Sequence, residues 1–166
     1  MKLVIHDLGS RGIDDLVVLD KEDKVICEDK KIHHCIGCFG CWIKTPGKCV
    51  LKDGYENIGE LFSKTDELIV ISHCKYGTYS PFVKNVLDRS ISYLLPYFKK
   101  RNNETHHIPR YKHKFSYSVY FYGKALTTKE KEVATRIVEA NSINLNAKKF
   151  DVLFAETVND LRGKIV

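Results

Sequence analysis

The sequence predicts a layered α/β domain built on a parallel sheet. Three observations carry this. Residues 67–72, ELIVIS, form a nearly continuous apolar run of the kind found in strands buried on both faces. Two helix-start signals stand further along, Ser80 before Pro81 and Thr127 with Glu130 three residues later. Apolar runs and amphipathic stretches alternate at βα spacing.

In chain order, KLVIHDL at 2–8 reads as the first strand, ended by Gly9 and Ser10. Between 11 and 34, LVVL at 16–19 and VIC at 25–27 predict short strands or a hairpin. Asp53 reads as an N-cap with Glu56 as its capping-box partner, which predicts a helix over 54–65. ELIVIS is the next strand, and HCKYGTYS at 73–80 is a loop. Phe82, Val83, Val86, Leu87, Ile91, Leu94 and Leu95 keep helical spacing and predict a long amphipathic helix over 81–95. A polar, basic, histidine-bearing segment runs to about 113. FSYSVYFYG at 115–123 is an aromatic strand, a helix opens at Thr127 and runs to about 142, and KFDVLFAE at 149–156 is the last strand. Ligands of such folds sit beyond the carboxyl ends of the strands. That places His73–Ser80 and Tyr122–Lys124 at the edge of a site.

The 166 residues fit one domain, 1–166, large enough to bury a core without disulfide staples. Apolar residues make up 43% and charged residues 29%, as in ordinary globular proteins. No apolar run approaches the roughly 20 residues of a membrane span, and MKLVIHDLGS is too short for a signal-peptide core. A cytoplasmic protein without membrane attachment is expected. The net charge of +6 is spread along the chain, denser only at Lys99, Lys100 and Arg101, and reads as solvated surface, with no nucleic-acid partner expected.

Four of the six cysteines, Cys35, Cys38, Cys41 and Cys49, form C-x2-C-x2-C-x7-C. The first three can face one centre, and a turn at Pro46-Gly47 brings the fourth back. Thiolates ligate iron–sulfur clusters and zinc. Zinc ligands usually come as two separated pairs, so the compact run suits a [4Fe–4S] cluster better. A redox disulfide and a loop of packed, reduced thiols beside Phe39 and Trp42 remain open on spacing alone. Cys27 and Cys74 lie outside the motif.

The run CIGCFGCWIKTPGKCVLKD, with the later SHCKYGTYSPFVKNVLDRS, resembles the NAD(P)H-dependent FMN reductase family of flavodoxin-like proteins. The cysteine spacing resembles its iron–sulfur flavoprotein branch. Tyr76-Gly77, Ser80-Pro81 and Lys84 with Asp88-Arg89 add to the match, which is dense over 35–90. The resemblance implies a three-layer, doubly wound sheet in order 2-1-3-4-5, with FMN at the tips of strands one, three and four. It implies phosphate contacts from Ser10 and Arg11, and ring contacts from Ser72, His73, Cys74, Lys75, Tyr76, Gly77, Tyr122 and Gly123. His73 and Lys75 stand where the family has proline and tyrosine. Only 26 residues, Gly9 to His34, separate strand one from the motif, and they show no helical period. The first crossover helix is therefore expected to be missing or shortened. That would bare strands one and three and call for cover by residues 11–34 or by a second subunit, hence a homodimer or tetramer.

The implied function is an FMN-dependent NAD(P)H oxidoreductase of the flavin- or quinone-reductase type, with NAD(P)H and a small electron acceptor as partners. The other reading is a non-catalytic flavodoxin-like subunit that has lost FMN and assembles with itself or a paralogue. Lesser candidates are Asp88-Arg89 with Lys84 (an ion pair or an orienting group), a His73/Cys74 nucleophile pair, and the doublets His33-His34 and His106-His107. Neighbouring histidines on a strand point to opposite faces, so neither doublet chelates by itself. The aromatic run Tyr117–Tyr122 reads as core.

Overall fold

The computed structural model describes residues 1–10 and 13–165. Strands β1 (Lys2–His6), β2 (Lys24–Cys27), β3 (Glu67–His73), β6 (Ser116–Tyr122) and β7 (Lys149–Ala155) form one parallel sheet in the order β2-β1-β3-β6-β7. This is the predicted 2-1-3-4-5 order of a flavodoxin-like sheet. Two further strands, β4 (Leu94–Arg101) and β5 (Glu104–Pro109), pair as an antiparallel hairpin outside it.

Alternate side chains of the strands feed two separate cores. On one face Leu3, Ile5, Leu68, Val70, Val119 and Phe121 pack under helices α2 (Ile58–Ser63), α3 (Pro81–Arg89) and α4 (Thr128–Asn144). On the other face Val4, Ile69, Ile71 and Tyr120 are covered by Ile13, Leu16 and Val17 and by Leu161 of a 3-10 turn, Val158–Leu161. Among the described residues no helix lies between β1 and β2, as the missing periodicity implied. The chain itself supplies the cover the absent helix would have given: Val4 and Ile71 are fully buried. Burial of side chains this size is worth roughly 1.5–3 kcal/mol each, enough to hold a coil in place.

Four expectations change. Residues 16–19 are coil, not strand. Among the described residues β2 pairs with β1 alone, in parallel, and residues 16–19 join no sheet; the Leu16, Val17 and Leu19 side chains instead pack onto its face. The backbone N–H groups of Leu16 and Val17 donate to Ile13 O, and Asp23 accepts from the Lys2 and Asp20 N–H groups just before β2. The helix expected over 54–65 is the shorter α2, preceded by Asn57 and not by Asp53, whose carboxylate is committed to Arg89. The long helix stops at Arg89, because Pro96 biases Leu95 away from helical backbone and Ser90–Tyr93 tightens into a 3-10 turn. The segment beyond it is the β4–β5 hairpin. Its turn residues Asn102 and Asn103 take φ of 49° and 65°, as a tight I′-type connection requires. Pro96 falls where the register shifts, at the irregular start of β4.

The other two cap signals hold. Ser80 Oγ accepts from the Val83 N–H, and Thr127 with Glu130 makes a complete capping box. Among the described residues, no helix is long and apolar enough to cross a membrane.

Candidate functional site

Two places on the molecule gather chemistry. The first is the carboxyl edge of the sheet. Asp7, the residue after β1, accepts from the His73 N–H (2.8 Å), the Ser72 hydroxyl (3.4 Å) and the Tyr122 hydroxyl (2.9 Å). Ser72 Oγ in turn accepts the Ser80 N–H at 2.9 Å. One carboxylate thus ties the tips of β1, β3 and β6. The sequence reading passed over Asp7. Its only local signal is a charged residue ending an apolar strand.

The loop beyond β3 makes a tight turn in which Lys75 and Thr78 exchange both backbone hydrogen bonds. Tyr76 and Gly77 have φ of 55° and 76°. Gly77 is required twice over, since a Cβ there would lie 3.0 Å from Glu130 O and 3.1 Å from Val133 Cβ. The Tyr76 side chain is 84% exposed, and Lys75 and His73 are exposed with it, while the His73 ring sits 5.4 Å from Tyr122. Gly123 is buried and bonded to Ala155 O. Cys74 is buried, and burial pushes its thiol up, which removes the Cys/His nucleophile pair. Ser10 is exposed; Arg11 lies outside the described residues. The 680 Å³ hollow beside this edge is lined by Asp7, Asp15, Glu28, Tyr122 and Arg162, with Arg162 already paired to Asp15 at 3.0 Å. Tyr76 and its turn suit a flat ring. The carboxylates beside β1 do not suit a phosphate.

The second place is the cysteine loop. Cys41 sits in a single helical turn, α1 (Gly40–Ile43), set close against the chain: a Cβ on Gly40 would fall 2.5 Å from Val50 Cγ1. After Pro46 the chain folds back, with the Gly47 N–H donating to Cys41 O and the Cys49 N–H to Glu56 O. Cys35, Cys38, Cys41 and Cys49 then line one 440 Å³ cavity, walled by the end of α3, by Trp42 and His107, and by Asn141 and Asn144 of α4. Trp42 closes one side; its Nε1–H donates to Leu94 O at 3.0 Å, and its ring stacks on Phe39 at 5.3 Å. Burial raises the Cys41 thiol first, and neighbouring Cys49, Cys35 and Cys38 raise it further. The Cys41 thiol is thus held in its neutral form until positive charge enters beside it.

That donor set fits an iron–sulfur cluster. A zinc ion needs its sulfurs roughly 3.8 Å apart, from 2.3 Å bonds at tetrahedral angles. Among the described residues no three Cys, His, Asp or Glu side chains are gathered to hold a single metal ion. A four-iron cluster is a larger body whose ligands stand further apart around it. Two buried nitrogens of residues in the cavity wall, Arg89 Nε and His107 Nδ1, have no hydrogen-bond partner. An anionic, sulfur-rich occupant would satisfy Arg89 Nε, a donor in every state of the side chain.

The doublets separate as strand geometry demands. His106 bonds Asn144 and Glu104, whereas His107 turns to Phe98 and Trp42. His33 and His34 are exposed loop residues. Lys84 pairs with Asp88 on the surface, and Arg89 with Asp53 in the interior. The Arg89 guanidinium hydrogen bonds hold the Asp53 carboxyl down to about 2.

No family model matches the chain. A curated relative, an iron–sulfur flavoprotein of Archaeoglobus fulgidus, is 32% identical over 71 residues, covering 43% of this chain and 31% of that protein. The match therefore spans about a third of the relative's length. Three solved structures share the fold at low identity. They are a Trp repressor binding protein from Bacillus subtilis (TM-score 0.55, 14% identity, 97% of this chain and 90% of that one), an FMN-dependent NADH-azoreductase from Bacillus anthracis in complex with FMN (0.52, 8%, 96% and 91%), and a second Bacillus anthracis azoreductase (0.56, 12%, 99% and 90%). The chain has the flavodoxin-like α/β fold. Fold and matched segment together bear out its resemblance to the NAD(P)H-dependent FMN reductase family.

Proposed function

We propose that this chain is an FMN-dependent NAD(P)H oxidoreductase of the iron–sulfur flavoprotein kind, working in the reducing cytoplasm with a small electron acceptor. The observation that carries the reading is the convergence of all four motif cysteines on one cavity of a flavodoxin-like scaffold. Its relatives point the same way, since one is an iron–sulfur flavoprotein and another was solved with FMN. FMN, when bound, accepts hydride from a nicotinamide and passes electrons on singly or in pairs. The chain's own residues would position it. The Tyr76-Gly77 turn, with Ser72, His73, Cys74 and Lys75, would frame the ring beside Tyr122 and Gly123, and Ser10 and Arg11 would face the phosphate. Cys35, Cys38, Cys41 and Cys49 would hold a [4Fe–4S] cluster. A homodimer or tetramer would supply further phosphate donors from a second chain.

A second reading has its own observation. Asp7, Asp15 and Glu28 line the hollow at that tip, where a phosphate would meet like charge. This favours a subunit that has lost FMN and serves assembly with itself or a flavin-binding paralogue. Anaerobic purification followed by flavin, iron and sulfide analysis separates the two. Flavin bands near ~370 and ~450 nm and NAD(P)H oxidation support the oxidoreductase. Protein that stays flavin-free under titration with excess FMN overturns it and leaves the subunit reading. Light scattering at about 19 kDa would remove the oligomer from both.

A further inference from the structure

Arg89 is almost fully buried, although it is the last residue of its helix. Its two terminal nitrogens are fully used. Nη1 donates to His33 O at 2.9 Å and to Asp53 Oδ2 at 2.8 Å, and Nη2 donates to Asp53 Oδ1 at 3.0 Å. Asp53 also accepts the His33 and Tyr55 backbone N–H groups. His33 stands two residues before Cys35, and Asp53 four residues after Cys49. One guanidinium therefore clamps both stems of the cysteine loop.

Its third nitrogen is left over. Nε is buried without an acceptor, and Arg89 lines the cavity that the four cysteines share. Among the described residues no other arginine lines it. Burial alone would lower the guanidinium, but the Asp53 hydrogen bonds, with the Cys49 side chain beside it, hold it above its ordinary value. A buried donor without a partner is costly, and this one borders a cavity in which an acceptor can sit.

Building on the cluster reading above, we infer that Arg89 Nε donates a hydrogen bond to the sulfur-ligated anion held by the four cysteines, on its Cys49 side. Arg89 is thus a positioning residue with an electrostatic role. Its stem clamp presets the loop, and its donor stabilises the more negative, reduced state of the cluster. Hydrogen bonds to cluster sulfurs are one of the terms that set reduction potential.

The test uses the full chain, reconstituted anaerobically with iron and sulfide and reduced by one electron with dithionite. In wild-type protein labelled with 15N-arginine, electron–nuclear double resonance on the reduced cluster should show an arginine nitrogen coupling. Arg89→Lys keeps a positive charge but removes Nε. It should still take up iron, with its reduction equilibrium at least tenfold less favourable, a drop of about 59 mV for one electron. A merely structural clamp would change iron uptake or stability and leave the potential alone. Iron-loaded Arg89→Lys with wild-type potential overturns the role. If that variant fails to fold or to load, the labelled wild type decides, and absence of the coupling overturns the role. Wild-type protein that takes up no iron overturns the cluster reading and this role together, whereas loaded wild type without the coupling overturns the role alone.

Discussion

The strand tips and the cysteine cavity differ in how their polar groups are satisfied. At the tips of β1, β3 and β6, Asp7, Ser72 and Tyr122 absorb one another's hydrogen bonds. Around the cysteines, Arg89 Nε and His107 Nδ1 are buried with no partner, and four thiols face a shared space. At the tip the protein's own carboxylate takes up the donors around it, while in the cavity wall Arg89 Nε finds no acceptor among the described residues. An unpaired buried donor points to a ligand where it also lines a cavity, as Arg89 does; Ser92 Oγ and Arg101 Nη2 are unpaired too, and neither residue lines the cysteine cavity.

Four experiments break or sharpen that contrast. The largest effect is expected from Cys49→Ser, because the fourth thiolate completes the ligand set. Anaerobically reconstituted wild type should carry about four irons per chain, and the variant should lose most of them, by iron and sulfide assay. Cys27→Ser, outside the cavity, should keep them.

Next is the ion pair beneath the cavity. Asp53→Ala leaves the Arg89 charge buried and unpaired, a loss of about 3–5 kcal/mol in denaturant unfolding. The same pair should show in acid. The Asp53 carboxyl is held at about 2 in the folded chain against an ordinary 3.8, so its contribution is present above pH 3.8 and lost as pH falls toward 2. That contribution is about 2 kcal/mol. A stability–pH profile for Asp53→Asn that keeps the wild-type slope between pH 4 and 2 would refute the assignment.

At the strand tips the effects are smaller. Gly77→Ala forces a Cβ at φ 76° against Glu130 O and should cost about 1–2 kcal/mol, read as a lower unfolding temperature. Asp7→Asn removes a negative charge from the hollow where a flavin phosphate would lie. FMN affinity should rise by about 1 kcal/mol, roughly fivefold, in a fluorescence-quenching titration. Unchanged or weaker binding would show that the carboxylate is not what opposes the phosphate.

Much of the fold could be read from local pattern. The five sheet strands and the Ser80 and Thr127 caps follow from short apolar runs and from side chains that bond backbone three residues away, so neighbours in sequence suffice. The reading failed where a local signal lost to a distant partner. Asp53 looks like a helix cap, yet Arg89, 36 residues later, takes its carboxylate. The apolar spacing of Ile91, Leu94 and Leu95 looks helical, yet Pro96 and pairing with β5 draw the chain into a hairpin.

The cysteine motif was fully legible as a set of possible ligands, because its spacing alone limits which sulfurs can meet. What only the tertiary structure decided is the company they keep. Arg89 and His107 reach the cavity from α3 and from β5. Asp7 reaches Ser72 across 65 residues and Tyr122 across 115. Side-chain polarity is written in the sequence one residue at a time. Whether a donor finds an acceptor depends on which distant segments the packed sheet brings within about 3 Å of each other.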